Sequence, residues 1–192
     1  MDQAQYDIDY YRQINAEEGE QARRLAELLI WKYAPKSVLD VGCATGLYLR
    51  PFLDQGIKGQ GVDYAEAAVA DEVLQIPRSA IKIVDITKQS IGARADLSLC
   101  IEVLEHIPES GAASAIKHLS QTAPIIIFSA AQPGQGGRGH INCQPKEYWQ
   151  QLFTSNGYVR DETSENYLKI IMQSGYHLGW LINNLMIYLA SA

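Results

Sequence analysis

Five short, strand-length runs recur along this chain: Ser37–Val41, Lys58–Asp63, Ile81–Asp85, Asp96–Cys100 and Pro124–Phe128. Helix-compatible stretches separate them at roughly 46–55, 65–75 and 102–121, and another at about 16–33 precedes the first run. Buried strands alternating with helices of ~10–15 residues predict βαβ units, and so a parallel sheet with helices on both faces. After the fifth run the pattern changes. A long loop, Ser129 to Cys143, leads to a helix starting near Pro145, and strand candidates follow at Gly157–Asp161 and Asn184–Leu189. Gly134, Gly136, Gly137 and Gly139, four of the 15 glycines, fall in that loop and make it the most pliable stretch. No repeat, low-complexity tract or linker interrupts the chain, so a single domain over residues 1–192 is expected, with 1–33 an N-terminal helical segment and 34–192 the core.

Composition sets limits on what such a fold can serve. With 47% hydrophobic and 20% charged residues the chain can bury a sizeable core. Its formal charge of −6 disfavours a sequence-independent grip on long nucleic acid. Cys43, Cys100 and Cys143 are too few and too scattered for a disulfide scaffold or zinc cage, and nothing near Met1 reads as a signal peptide, so the expected compartment is reducing cytoplasm. The apolar stretch from Tyr167 to Ala192 is interrupted by Lys169, Gln173, His177, Asn183 and Asn184. It falls short of the ~18 apolar residues a membrane span needs and reads as buried core.

The first run continues as Val38-Leu39-Asp40-Val41-Gly42-Cys43-Ala44-Thr45-Gly46, which reads as strand, tight turn, helix. Gly42 and Gly46 let the backbone bend sharply and approach a ligand, which would sit at the carboxyl edge of the sheet beside a helix N-terminus. Spacing narrows the ligand. A dinucleotide turn wants Gly-x-Gly-x-x-Gly, but Ala44 stands at the second glycine; a P-loop wants Gly-Lys, but Leu47 follows Gly46. Asp40 adds an acid at the strand end, which suits a ligand with an ammonium group and no pyrophosphate.

Two more runs also close on acids. Asp63 ends the second, 21 positions after Gly42, where a carboxylate can accept both hydroxyls of a ribose. Tyr64 follows it and can lie along an adenine face. Asp85 ends the third run, placed to accept from an exocyclic amine, with the Ile86 N–H available to a ring nitrogen. A lone loop carboxylate is most often simply solvated. Acids at three successive strand ends are a different matter.

On these residues the chain resembles the class I S-adenosylmethionine-dependent methyltransferases. The resemblance runs from about Ala34 to Tyr158 and rests on the turn at 38–46, Gly61-Val62-Asp63, and the segment from Asp96 to Ile107 that contains Glu102-Val103-Leu104-Glu105-His106. It implies a Rossmann-like α/β sheet of seven strands ordered 3-2-1-4-5-7-6, with the seventh antiparallel. It also implies S-adenosyl-L-methionine as cofactor. Gly42, Cys43, Ala44 and Gly46 would wrap the methionine moiety, Asp63 would hold the ribose, and Asp85 and Ile86 the adenine. Cys100 and Ile101 would turn backbone carbonyls to the ammonium. The segment before the first helix often folds over the cofactor in this family, so Tyr10 or Tyr11 can help close the site, although aromatics at a helix entry also serve as staples.

A hydroxyl acceptor benefits from a general base. The loop at Gln132–Asn142 offers His140, with Arg138 nearby and no carboxylate between Ser129 and Lys146. His140 is therefore the catalytic candidate, as base or acceptor-orienting group, against a loop-ordering role. Glu102, Glu105 and His106 would share one face of a turn if helical, and with His140 could hold a divalent ion. That set resembles the metal site of small-RNA 2′-O-methyltransferases, but the same motif is widespread in metal-free enzymes, so no metal is assigned. His118 reads as a surface residue and His177 as packing or capping; Asn183 and Asn184 either border the acceptor pocket or form a turn.

Cys100-Ile101-Glu102-Val103 stands where adenine or glutamine N-methyltransferases carry Asn-Pro-Pro-Tyr. O-methylation of a small molecule or sugar is the leading expectation. The alternatives are a metal-assisted RNA ribose 2′-O-methyltransferase and a cofactor-binding regulatory domain without chemistry; a dehydrogenase is disfavoured by the turn spacing. The acceptor's identity and the oligomeric state are not written in the sequence.

Overall fold

The computed structural model describes residues 7–175 and 177–191, with Ala67 described by its backbone alone. Residues 1–6, where the reading of no signal peptide begins, together with Tyr176 and Ala192, lie outside the described residues. In chain order the elements are α1 (Ile8–Tyr33), β1 (Ser37–Val41), α2 (Arg50–Asp54), β2 (Lys58–Asp63), β3 (Ile81–Ile83), β4 (Leu97–Ile101), α3 (Glu109–Leu119), β5 (Ile125–Ser129), α4 (Lys146–Thr154), β6 (Tyr158–Arg160), α5 (Glu162–Gln173), α6 (Gly179–Asn184) and β7 (Met186–Ala190). The strands form one seven-stranded sheet ordered β3-β2-β1-β4-β5-β7-β6, as the resemblance implied. Pairing is parallel from β3 to β5, and β7 runs antiparallel to both β5 and β6.

Alternation along the central strands supplies two cores. Leu39, Val41, Cys100 and Phe128 point to one face, where α3 and α4 deliver Ala115, Ile116, Trp149 and Phe153. Val38, Leu97, Leu99 and Ile101 point to the other, covered by α1, α2, α5 and α6 through Leu25, Leu29, Phe52, Leu168, Met172 and Leu181. Each such aliphatic side chain contributes roughly 1.5–3 kcal/mol relative to exposure. Burial of β4 on both faces fits its composition: Leu97, Leu99, Cys100 and Ile101 are apolar, and the one polar residue, Ser98, pairs its hydroxyl with that of Thr122.

Several helices differ from the sequence expectation, each for a local reason. The first begins at Ile8 rather than near 16, because Asp7 caps it by accepting from Tyr10 N at 2.8 Å. The expected 46–55 helix shrinks to α2: left-handed Gly46 (φ +82°) opens a series of turns, and proline stands in the first turn of α2. The stretch at 65–75 holds only a 3₁₀ turn, Glu66–Val69. The stretch at 102–121 splits into a 3₁₀ turn, Leu104–His106, and α3, because Glu102 is left-handed (φ +50°) and Pro108 stands at the N-cap of α3. The apolar C-terminal stretch is only partly core: β7 buries Met186, Ile187 and Tyr188, whereas Tyr167 and Ile170 on α5 are exposed. Among the described residues no helix is long and apolar enough to cross a membrane.

Candidate functional site

The carboxyl ends of the parallel strands open into two adjoining cavities of about 360 and 320 Å³, which share Tyr10, Tyr11, Gly42, Ala44, Glu102 and His106 as walls. The first is built by backbone. Gly42, Ala44 and Gly46 all have positive φ (+78°, +45° and +82°), and the turn they make sends the Gly42 and Cys43 N–H groups to Val62 O. It leaves the Ala44 N–H pointing at Asp63 Oδ2 (2.7 Å), while Ala65 N donates to Oδ1 at 2.7 Å. Burial raises the Asp63 carboxyl above its ordinary range, and these N–H donors oppose the rise. Across the cavity Thr87 donates to Asp85 Oδ1 through its N–H (3.0 Å) and hydroxyl (2.6 Å), and Lys88 pairs with Oδ2 at 2.9 Å. Burial pushes Asp85 up, but the Thr87 and Lys88 contacts outweigh it and hold the group below its usual range. Asp40 has neither: among the described residues no donor or cation reaches it, and burial, reinforced by the Asp63 charge, pushes it up to about 8.

The second cavity is built by side chains from distant segments. Glu102 carries its strained backbone immediately after β4, and its carboxylate accepts from Asn184 Nδ2 (3.0 and 3.3 Å) and Gln135 Nε2 (3.3 Å). The Ser129–Cys143 loop is stapled back by Ile141 N and Asn142 N, which both donate to Glu105 O (2.9 and 3.0 Å). That staple brings the His140 ring within 5.0 Å of the His106 ring, and a Cβ on Gly137 would overlap His140. His106 Nδ1 faces Gly139 O at 3.2 Å, and burial lowers its pKa to about 4. Glu18 reaches in from α1, accepts from the Tyr48 hydroxyl at 3.0 Å, and is pushed up to about 7 by burial first and by Glu102. Arg138 lies over the Tyr10 ring at 4.9 Å. Behind the wall, Glu105 is fully buried: Oε1 accepts from Ala131 N at 3.2 Å, Oε2 finds no hydrogen-bond donor among the described residues, and burial, reinforced by the neighbouring Glu102, pushes the carboxyl well above its usual range. One ligand atom each from Glu105, His106 and His140 lie within 4.8 Å of one another.

A methyltransferase domain family matches residues 11–163, most of the chain. The chain belongs to that family. With the sheet order it is a class I, S-adenosylmethionine-dependent methyltransferase domain. Similar curated proteins include the ubiquinone biosynthesis O-methyltransferases of Stutzerimonas stutzeri, 29% identical over 124 residues (60% of this chain, 48% of the relative), and of Nitrosospira multiformis, 30% identical over 125 residues (61% and 48%). The chain thus spans about half the length of the curated relatives it matches. Among solved structures, a sugar N-methyltransferase from a Streptoalloteichus species aligns with TM-score 0.68 at 14% identity, over 97% of this chain and 94% of that one. The magnesium protoporphyrin IX methyltransferase of Synechocystis, with bound SAH, aligns with TM-score 0.61 at 18% identity over 81% and 80%. At such identities the shared fold is what these structures establish.

In this methyltransferase domain nine of the residues singled out by sequence for the cofactor stand in a cavity wall: Gly42, Ala44, Asp63, Tyr64, Asp85 and Ile86 in the first, and Asp40, Cys43 and Ile101 in the second, which Gly42 and Ala44 also border. His140 lines the second. Gly46 and Cys100 line neither. A Cβ at Gly46 would overlap Ile76, so this glycine makes room for packing; Cys100 is a fully buried strand residue paired with Phe128. The four-residue metal set loses Glu102, whose carboxylate is turned to Asn184 and Gln135 because the segment is not helical there. Asn184 is a buried member of this network rather than a turn residue. His118, expected at the surface, is half-buried and bonds the Ile86 carbonyl at 2.7 Å. Sequence reading missed Glu18, Tyr48 and Trp180 as wall residues, for they reach the cavity from α1, the turn before α2 and α6 with no motif to mark them.

Proposed function

We propose that this domain transfers the methyl group of S-adenosyl-L-methionine to a hydroxyl oxygen of a small molecule or sugar. The observation that carries the reading is Asp63, a strand-end carboxylate clamped by two backbone N–H groups in a cavity that opens into a second one beside His140. Asp63 accepts the ribose hydroxyls, Tyr64 lies along the adenine, Asp85 accepts from its amine, and the Ile86 N–H donates to its ring. Gly42, Cys43, Ala44 and Gly46 shape the turn around the methionine moiety. Asp40, with the Ile101 carbonyl, receives the ammonium, while Cys100, fully buried in the strand, lies behind them. The fit of Asp40 is chemical: a buried carboxyl with no cation of its own is relieved when one is bound.

The cofactor supplies a sulfonium methyl that is displaced in line as positive charge on sulfur disperses. The protein's task is alignment and exclusion of water. Tyr10, Tyr11 and Arg138 wall off the mouth, and His140 orients the acceptor hydroxyl or takes its proton. A single domain over residues 1–192 in a reducing, cytoplasmic compartment suits the three free thiols. Calorimetry with S-adenosylhomocysteine, then transfer of labelled methyl into a metabolite pool, tests the proposal. Binding without transfer points to a regulatory domain, and absence of binding overturns the cofactor assignment.

One observation favours a second reading, in which a divalent cation assists at Glu105, His106 and His140. A fully buried carboxylate with an orphan oxygen beside two imidazoles is a donor set that suits Mn²⁺, Fe²⁺ or Zn²⁺. The formal charge of −6 disfavours a long RNA as its acceptor. Metal stoichiometry of the purified protein and activity before and after chelation separate this reading from a metal-free His140.

A further inference from the structure

The second cavity carries more negative charge than the proposed cofactor answers. Three carboxyls stand in its walls, Glu18, Asp40 and Glu102. Asp40, 3% exposed, meets no donor or cation among the described residues, and one cofactor ammonium satisfies it. Glu18 and Glu102 are left over. Glu18 falls in helical register with Tyr11, Ala22 and Leu25, the buried face of α1. Its Oε2 accepts from the Tyr48 hydroxyl at 3.0 Å, and its Oε1 has no partner among the described residues. The Glu102 carboxylate accepts from the neutral amides of Asn184 and Gln135, and Oδ1 of that same Asn184 is buried without a donor.

No cation of the described chain neutralises this pair. The ion pairs among the described residues all lie elsewhere. Arg138 lies over the Tyr10 ring, and the charge that reaches Glu18 from across the cavity is that of Glu102. Burial first, and then this like charge, push the Glu18 carboxyl up to about 7. Two carboxyls close enough to repel, and partly withdrawn from water, call for a cation between them. A bare metal ion fits poorly there. The described groups whose ligand atoms converge are Glu105, His106 and His140, and neither Glu18 nor Glu102 is among them. The neighbouring walls are aromatic, Tyr10, Tyr48 and Trp180, and carboxylates set among aromatic rings suit an organic ammonium.

We infer that the acceptor carries a protonated amine, held between Glu18 and Glu102 against these aromatic walls, while a hydroxyl of the same molecule is presented to the methyl group beside His140. Glu18 is then a specificity-determining residue supplied by α1. A neutral or anionic hydroxyl compound would leave both carboxylates unanswered, and so be rejected. The inference rests on the proposed transfer to a hydroxyl and deepens it by naming the charge of the acceptor.

The test offers the full chain labelled S-adenosyl-L-methionine with two samples of one metabolite extract, untreated and with its amines acetylated by N-hydroxysuccinimidyl acetate. Capping should reduce transfer by about tenfold or more. Glu18→Gln keeps an acceptor for Tyr48 but removes the charge. It should raise KM for the acceptor isolated from the untreated extract by about ten- to a hundredfold, the worth of one charge-assisted contact, with kcat little changed. The capping arm decides even if the variant fails to fold. Transfer to oxygen undiminished by capping, or an unchanged KM in folded Glu18→Gln, overturns the inference and leaves hydroxyl transfer standing. Weaker binding of S-adenosyl-L-methionine or S-adenosylhomocysteine to Glu18→Gln also overturns it, by assigning the carboxyl to the cofactor. No transfer into either sample, or label located on nitrogen by mass spectrometry, overturns hydroxyl transfer itself and this inference with it.

Discussion

The two cavities are neighbours, yet they are constructed differently. In the cavity proposed for the cofactor the key carboxylates are fixed largely by backbone N–H groups: Asp63 by Ala65, two residues on, and by Ala44, 19 positions earlier in the turn after β1, and Asp85 by the N–H and hydroxyl of Thr87 together with Lys88. In the second cavity they are fixed by side chains from remote segments: Glu102 by Asn184, 82 positions away, and by Gln135, 33 positions away. Backbone-built sites follow from strand ends and turn geometry, so they change little when surface side chains vary. A side-chain-built site can be re-specified by substituting one loop, which suits the half of a methyltransferase that must choose its acceptor.

The sharpest break between the halves should come from His140→Ala. Once an acceptor is found, single-turnover rates should fall by about 10²- to 10⁴-fold, the usual worth of a positioned acid–base group, with S-adenosylhomocysteine affinity intact. Equal loss of affinity would show that the two cavities are energetically one.

Asp63→Ala should do the converse. It removes the acceptor for Ala44 N and Ala65 N as well as the ribose ligand, and calorimetry should show binding weakened by about 10²-fold. Gly46→Ala should act on stability rather than chemistry. It forces a Cβ into left-handed backbone and onto Ile76, and should lower unfolding free energy in urea by about 2 kcal/mol.

The smallest effect is a pH dependence confined to the cofactor half. Burial and the Asp63 charge push the Asp40 carboxyl up to about 8, and an arriving ammonium favours its ionised form, so binding below that pH releases a proton. Affinity for S-adenosylhomocysteine should therefore rise from pH 6 to 8, by at most about tenfold per unit, and level off above. Asp63, also raised, acts with the same sign. Asp40→Asn should flatten the profile and reduce proton release measured in buffers of different ionisation enthalpy.

Sequence reading reached far into one half and little into the other. Strand runs, the glycine turn and the acids Asp40, Asp63 and Asp85 were legible because period-two burial and left-handed glycines leave local signatures. His140 was visible as a histidine in an acid-free loop, but its approach to His106 depends on the staple of Ile141 and Asn142 to Glu105 O. Glu18 left no signal, for a glutamate on a polar helix looks the same whether it faces water or a cavity, and Asn184 was legible only as an asparagine before a strand, which reads equally as pocket border or turn. His118 was misjudged for the same reason: a histidine one residue from a helix end says nothing of the carbonyl it meets 32 residues earlier.

The sequence by itself determined the parallel sheet, its order through a recognisable family pattern, and the strand ends at which a nucleoside-bearing cofactor would sit. Those properties depend on contacts between residues near in the chain, or on a periodicity that any buried strand must obey. Only the tertiary structure decided which side chains meet over the second cavity, which acids are clamped and which, like Asp40 and Glu105, are buried with an unmet demand. Such encounters depend on how helices and loops dock on the sheet, where the packing of apolar faces selects polar neighbours that no local pattern encodes.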